Sequence, residues 1–218
     1  MLNTFARLSL LALLLPLAGC RSAYYGTMEK FGVEKRDIMV DRVGDAQTAQ
    51  EKAREQFVDA LESFKAVVKV EAGDLEKTYN TLKSELERSE SRAKDVTDRI
   101  NSVETVARDL FKEWDRELDA YTSDDLRRKS AEQLAATRRQ SDQMLAAMRR
   151  AESKLEPVLK ALRDQVMFLK HNLNARAIGS IRGEVGRIEA DVASLVKDMD
   201  AAIREASSFI SSMQSSGN

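Results

Sequence analysis

The chain has 218 residues, of which 33% are charged and 6% aromatic, with only two prolines and nine glycines. This composition is typical of long helices and coiled coils, and it excludes a domain built mainly from strands. The 35 basic and 36 acidic side chains nearly cancel, which argues against an obligate nucleic acid or other polyanionic partner.

The first nineteen residues have the three-part layout of a secretory signal. Arg7 precedes an apolar run from Leu8 to Ala18, and Gly19 and Cys20 follow. A transmembrane helix needs about 20 apolar residues, so this run is too short to span a bilayer. We therefore predict an export signal that is removed, and no spanning segment in the rest of the chain.

The sequence at Cys20 predicts a lipid anchor. Leu17-Ala18-Gly19-Cys20 resembles the bacterial lipobox, and this resemblance implies that the Cys20 thiol is acylated before cleavage. Cys20 is also the only cysteine, and an unpaired thiol in an exported protein is a reactive liability unless it is chemically consumed. The alternative is a chance cysteine at the end of an ordinary signal. Two or more acyl chains on Cys20 hold a protein stably at a membrane.

The residue after the lipid site bears on which membrane is used. In enterobacterial lipoproteins an aspartate at this position favours retention in the inner membrane, whereas this chain has Arg21. The resemblance therefore implies the outer membrane, facing the periplasm. We assign residues 1–19 to the signal peptide, 20–26 to a lipidated tether, 27–214 to a long-helical bundle domain and 215–218 to a disordered tail.

Apolar residues at alternating steps of three and four predict long helices. The first spans residues 27–71, with a seam at Met39, Val43, Ala46, Gln50, Ala53, Phe57, Ala60, Phe64 and Val67. Asp74 can cap the second helix. The seam of that helix runs through Tyr79, Leu82, Leu86, Ser89, Ala93, Val96, Ile100, Val103, Ala107, Leu110 and Trp114. Cap-forming residues 122–125 then start a third helix.

The third helix contains a proline that predicts a bend. Its apolar stripe consists of Leu134, Leu145, Met148, Leu155, Leu159, Leu162, Val166, Leu169 and Leu173. Arg138 and Ser141 also fall on seam positions in its first half. Pro157 lacks a backbone donor and its ring crowds the preceding turn, so we expect a kink or restart near Glu156.

The last helix follows a turn at residues 172–175. Its seam comprises Ile178, Ile181, Val185, Ile188, Val192, Leu195, Met199, Ala202, Ala206, Phe209 and Met213. Gly179, Gly183 and Gly186 near its start either allow a neighbouring backbone to approach closely or are simply tolerated there. Short connections between long helices imply an all-α, elongated antiparallel helical bundle or coiled coil of about four long helices.

Few residues are suited to catalysis. His171 is the only histidine, so neither a two-histidine zinc site nor a Cys/His nucleophile pair can form. No phosphate-binding loop of the G-x-x-x-x-G-K-[ST] type occurs. We interpret Trp114, Met144, Met148, Met199 and Met213 as core residues rather than as a cofactor site. We therefore expect a protein that is not an enzyme, with no metal and no cofactor apart from the covalent lipid on Cys20.

The charges divide between neighbouring helices. Residues 74–122 contain nine basic and thirteen acidic side chains, net −4, whereas residues 124–174 contain eleven basic and seven acidic, net +4. Arginines recur every eleven residues in two parallel rows, about 16 Å apart within each row. The rows are Arg127, Arg138 and Arg149, and Arg128, Arg139 and Arg150. The arginines either pair with the acidic second helix or form a ridge that binds an anionic envelope component.

The segment Phe168-Leu-Lys-His-Asn-Leu-Asn-Ala175 is similar to uncharacterised helical lipoproteins of proteobacteria classed as domains of unknown function. The heptads also resemble the coiled-coil arms of DNA-repair ATPases, but the lipid signal and the missing phosphate loop argue against that class. Two hypotheses remain: a non-catalytic envelope scaffold or interaction module with a protein partner, or a protein that binds lipopolysaccharide, phospholipid head groups or peptidoglycan through the arginines. Both place the chain at a membrane through its lipid anchor, and the oligomeric state stays open.

Overall fold

The structure is a computed structural model, and it describes residues 35–67, 75–172 and 175–215, without the side chains of 175–178 and 180. Five helices form this part of the chain. The helices are α1 (Lys35–Val67), α2 (Leu75–Glu117), α3 (Asp124–Ser153), α4 (Leu155–His171) and α5 (Ala175–Ser215), and the 3-10 turn Leu118–Ala120 follows α2. From Arg36 onward the helices belong to one compact unit. The predicted all-α helical bundle is confirmed.

Side-chain bonds between helices show that neighbours are antiparallel, since residue numbers rise along one helix while they fall along the other. For α1 and α2 these pairs are Asp45–Arg99 (2.9 Å) and Gln56–Glu85 (2.7 Å). For α1 and α5 they are Arg54–Asp200 and Lys65–Glu189, both at 2.8 Å. Gln140 of α3 bonds to Ser212 of α5 at 2.9 Å, and Lys154, which follows α3, bonds to Ser194 of α5 at 2.7 Å. Arg149 of α3 and Arg163 of α4 likewise reach Glu104 and Glu90 of α2, both at 2.6 Å. Consecutive segments therefore run up and down around a common core.

The core consists largely of the predicted seams. Every predicted seam residue of α1 is buried, and so are those of α2 from Leu82 to Leu110 and those of α5 from Ile188 to Met213. Met144, Met148, Met199 and Met213 are buried as predicted, with at most 4% of their surface exposed. The alternating three and four spacing keeps one stripe of each helix facing its neighbours, which explains why the seams could be identified.

Three residues of the predicted α2 and α5 seams are only half-buried. Tyr79 is the fifth residue of α2, and Val185 is the eleventh residue of α5. Trp114 lies near the end of α2, and its indole Nε1 donates a hydrogen bond to Ser130 Oγ at 2.9 Å. Ser130 thus satisfies the indole donor, although the ring is not fully buried. The interpretation of Trp114 as a core residue is therefore wrong in part.

The buried stripe of α3 differs from the predicted one in its first half. Thr137, Ser141 and Met144 are buried, whereas Leu145 is half-buried on the side that faces α2. Arg138, which also fell on a seam position, is half-buried and directs its guanidinium to Asp115 of α2. Small polar side chains occupy the core here because the helix offers few apolar ones at those positions.

The predicted bend separates α3 from α4, three residues before Pro157. The proline has no N–H to donate to the carbonyl of Ser153, and its ring crowds that carbonyl, so the regular helix stops there. Lys154 turns the chain, and its N–H donates to Ala151 O at 3.1 Å. The break is local, since α4 begins at Leu155.

The helix ends agree with the predicted turns where the structure describes them. Ser123 caps α3, because its hydroxyl oxygen accepts from Leu126 N at 3.4 Å. Asn172 ends α4. The predicted cap Asp74, the outer parts of helix one and Leu173 lie outside the described residues, as do the side chain of Ile178 and residues 216–218.

The glycines at the start of α5 do not mark a close approach. A Cβ atom placed at Gly179, Gly183 or Gly186 would have no other heavy atom within 4 Å, apart from the local helix backbone. Of the two interpretations of these glycines, simple tolerance is therefore the one that the structure supports.

Candidate functional site

The arginines of α3 are the residues that the sequence singled out as a binding surface, and the structure divides them into three groups. Arg138 and Arg149 cross to α2, Arg127 and Arg128 pair within their own helical turn, and Arg139 and Arg150 point to solvent. The groups differ because an eleven-residue repeat aligns the backbone positions, whereas each side chain follows the acidic groups within its reach.

Arg149 forms the most extensive set of bonds among these arginines. Its Nη2 lies 2.6 Å from Glu104 Oε2 and donates to Asn101 Oδ1 at 2.8 Å, both on α2. Its Nη1 donates to Glu152 Oε2 at 2.6 Å. The hydrogen bond from Arg149 lowers the pKa of Glu104 below its ordinary value of 4.5, and the bond to Glu104 raises the pKa of Arg149. Both groups are therefore held in their charged forms.

Arg138 connects the two helices nearer their shared turn. Its Nη2 donates to Asp115 Oδ2 at 2.8 Å and lies 3.5 Å from the carbonyl oxygen of Phe111. The guanidinium also lies over the Phe111 ring, 5.4 Å from the centroid, which is the geometry of a cation–π contact. Arg138 and Arg149 thus link the basic α3 to the acidic α2, as one of the two interpretations of the arginine rows expected.

An open crevice lies on the α2–α3 surface between these two links. Its volume is about 370 Å³, and its floor includes Ala107, Phe111 and Leu145. Arg108 and Lys112 stand on one rim, and Asp142 stands on the other. Both charge signs are present, so the crevice does not select an anion by its electrostatics.

Arg139 and Arg150 have a different environment. Both side chains are exposed, and neither has a hydrogen bond or ion pair within the part of the chain that the structure describes. Arg128, the third member of their row, lies 2.5 Å from Asp125, and Arg127 of the other row lies 3.0 Å from Asp124. Only Arg139 and Arg150 among the six arginines are therefore available to an external anion without first leaving a carboxylate.

Several interhelix bonds were not anticipated from the sequence. Arg163 of α4 binds Glu90 of α2 through both Nε (3.0 Å) and Nη2 (2.6 Å). Lys154 at the helix break donates to Ser194 Oγ at 2.7 Å and lies 2.5 Å from Asp198 Oδ2 on α5. The helical register that brings these residues together comes from core packing, and no local motif indicates the pairs.

Other candidate residues have ordinary surroundings. His171 is exposed in the last turn of α4. Within residues 35–67, 75–172 and 175–215, no group of three or more histidine, cysteine or acidic residues could bind a metal ion. None of the helices described has a stretch that is both long and apolar enough to cross a bilayer. Cys20 and the lipobox-like sequence lie outside the described residues.

Comparison with known proteins assigns a family without an activity. The model of a family described as "Protein of unknown function (DUF2959)" matches residues 24–213. No curated protein and no solved structure matches the chain. The match covers all of the helices that carry the arginines and the crevice.

Proposed function

Since the chain belongs to the DUF2959 family, whose description names no activity, we propose a function from its own residues. The protein is a lipid-anchored, non-catalytic envelope protein, and its helical bundle is a scaffold or interaction module. The anchor is a lipid on Cys20, and the site of action is the periplasmic face of the outer membrane. The partner is a second protein of the envelope.

The sequence Leu17-Ala18-Gly19-Cys20 carries the anchoring part of this proposal. It follows an apolar run of the length found in export signals, and it ends on the only cysteine of the chain. Acyl chains contribute about 0.8 kcal/mol for each buried methylene, so two chains provide a stable attachment. The proposed attachment to the membrane is thus through lipid.

The surface of the bundle supports the module part. The apolar residues of the helices are mostly used in the core, and ion pairs such as Arg163–Glu90 cover the contacts between helices. The crevices along the helices, including the one between Arg138 and Arg149, are open grooves with charged rims. A helix of 43 residues such as α2 extends about 65 Å. Such surfaces suit extended protein contacts better than the enclosure of a small substrate.

Replacing Cys20 by serine tests the anchor. The Cys20→Ser chain is expected to incorporate no labelled palmitate and to leave the membrane fraction, because serine lacks the thiol that accepts the lipid. Metabolic labelling and fractionation of cells measure both effects. The neighbouring Ser22→Ala variant is the control and should label like the parent chain. Equal labelling of the Cys20→Ser chain would reject the lipoprotein assignment.

A second function is favoured by the free arginines Arg139 and Arg150. Two exposed guanidinium groups about 16 Å apart can bind an anionic envelope component such as lipopolysaccharide, phospholipid head groups or peptidoglycan carboxylates. Arg128, which is paired with Asp125, would extend the row by one further eleven-residue repeat. This binding would add to the lipid anchor rather than replace it.

A double variant measures this second function. In a chain of residues 21–218, Arg139→Ala with Arg150→Ala is expected to weaken binding to vesicles of anionic phospholipid several-fold at low salt, and high salt should remove the difference. The control is Arg92→Ala with Arg204→Ala, which removes two exposed arginines on α2 and α5. If both double variants lose the same binding, only net charge matters and the arginine row is not a site.

A further inference from the structure

The exposed side of α1 is acidic. Six charged residues of this helix are exposed, and Lys52 is the only basic one among them. The five acidic ones, which we call the acidic side, are Asp37, Asp41, Glu55, Asp59 and Glu62. Glu62 pairs with Lys65, and the other four carboxylates have no ion pair with any described residue. The helix as a whole has seven acidic and six basic residues, so its exposed charge of −4 arises because the other five basic residues are half-buried.

The opposite side of the bundle is basic. α1 bonds to α2 and α5, and α3 bonds to the same two helices, so α1 and α3 stand diagonally across the core. Arg139 and Arg150 are exposed on α3, and Arg108 and Lys112 are exposed next to them on the rim of the crevice. We call the surface formed by these four residues the basic side. The exposed carboxylate that stands among them is Asp142, so four cations against one anion leave a charge of +3.

The acidic side and the basic side overlap in height along the bundle. Asp45 of α1 and Arg149 of α3 bond to adjacent turns of α2. Arg54 of α1 and Lys154, which follows α3, bond to the same turn of α5. The middle of α1 therefore stands level with the C-terminal end of α3. The two helices also run in the same direction, because each is antiparallel to α2.

We propose that the acidic side of one copy of this chain docks on the basic side of a second copy, so that the copies stand side by side in a row. This inference rests on the proposed interaction module and names its protein partner. Since the two sides lie on opposite flanks of the bundle, each contact leaves one side of either copy free, and further copies can add at both ends. A heterologous contact of this kind gives an open array and not a closed dimer.

The charges fit a row in which all copies point the same way. α1 of one copy then faces α3 of the next in the same direction, and Asp41 and Glu55 come near Arg139 and Arg150. The two carboxylates are fourteen residues apart and the two arginines eleven, about 21 and 16 Å along a helix. The length of the arginine side chains covers this difference. Copies that point the same way also keep their proposed lipid anchors at one membrane.

The row is expected to be reversible. α1 has 33 residues, so a contact along its whole length measures about 50 by 11 Å and buries roughly 1,100 Å² over the two copies. That area is within the range of transient contacts. Opposite charges across such a contact contribute more to the choice of partner and its register than to affinity. Anchoring raises the local concentration of the chain, which favours the row at a membrane over the dilute protein.

Cysteine crosslinking in cells that express the full chain tests this proposal. Thr48 lies between the carboxylates Asp41 and Glu55, Ala146 lies between the two arginines of α3, and both are exposed. A chain with Thr48→Cys and Ala146→Cys is expected to give, with a short bismaleimide, a ladder of products at two, three and more times the chain mass. Either substitution alone should give several-fold less, because a cysteine on one side then faces no cysteine on the next copy. The parent chain gives the background from Cys20.

Charge reversal in the same two-cysteine chain tests which residues hold the copies together. Asp41→Lys with Glu55→Lys is expected to reduce the ladder several-fold, and so is Arg139→Glu with Arg150→Glu. All four reversals together should restore it, because every attraction across the contact is then exchanged and not lost. The four residues are exposed, so the melting temperature should stay within a few degrees.

Four results would overturn the proposal. The first is a two-cysteine chain that gives no more product than the single variants. The second is a ladder that the arginine reversal reduces and the carboxylate reversal does not, since the arginines would then bind an anion such as the membrane surface. The third is a ladder that the four reversals together do not restore. The fourth is a product whose mass identifies a different protein, which would leave the proposed interaction module standing with another partner.

Two further measurements make these results decisive. Melting curves of each variant establish that its bundle is folded, so that the absence of a ladder counts against the contact. Palmitate labelling of the same chains reports separately on the proposed anchor. A chain that is labelled but forms no ladder therefore contradicts the row alone, whereas a chain without label contradicts the proposed attachment.

Discussion

Replacing Ile100 by aspartate is expected to lower the free energy of unfolding by about 4 kcal/mol or more. Ile100 lies in the middle of the α2 seam with none of its surface exposed. A carboxylate at this position must be desolvated or protonated, and the substitution also removes the packing of a large aliphatic side chain. Urea denaturation of the two chains, followed by circular dichroism at 222 nm, measures the difference.

Ser91→Asp is the matched control for this change. Ser91 is exposed on the same helix, so the new carboxylate stays in water and the stability should change by no more than about 0.5 kcal/mol. Val96→Asp, at a second fully buried seam position, should behave like Ile100→Asp. Equal midpoints for the Ile100 and Ser91 variants would mean that the α2 seam does not form the core.

Replacing Gln50 by leucine is expected to stabilise the bundle. Gln50 is fully buried in the α1 seam, and neither its Oε1 nor its Nε2 has a hydrogen-bond partner among the described residues. An unsatisfied amide costs about 1–3 kcal/mol in desolvation, and leucine removes that cost while it retains most of the volume. The melting temperature should rise by about 2–4 °C for each kcal/mol gained in a chain of this length.

The effect of Gln50→Leu is judged against Gln133→Leu. Gln133 is exposed on α3, so the same chemical change there should leave the melting temperature nearly constant. A lower melting temperature for Gln50→Leu would show that a water molecule or another group satisfies the amide. The structural assignment of Gln50 as an unpaired core residue would then be wrong.

Periodic patterns predicted the fold because they determine which residues can be buried together. The α1 seam from Met39 to Val67 needed no information beyond steps of three and four. The bend before Pro157 followed from the chemistry of a missing donor. Each of these features is specified within a few turns of one helix, and the sequence of that helix contains the signal.

The partners of individual arginines could not be predicted in the same way. Arg149 pairs with Glu104, 45 residues earlier, and Arg139 pairs with nothing in the described parts of the chain. The choice depends on the rotation and height of α3 relative to α2, and packing of all the helices sets both. The rotation of α3 also explains why the prediction of Leu145 as a core residue was wrong. In the structure, Ser141 and Met144 of α3 face inward instead.

The break at Lys154 leaves the angular phase of the helix unchanged. Counted by residue number, the buried positions continue through it in steps of three and four: Leu134, Thr137, Ser141, Met144, Met148, Ala151, Leu155, Val158, Leu162, Gln165 and Leu169. One additional residue at the junction would turn the whole of α4 by about 100° about its axis, away from Glu90 and the core. The interruption therefore changes the local hydrogen bonding but not the count of residues, and two helices with separate ends share one continuous stripe.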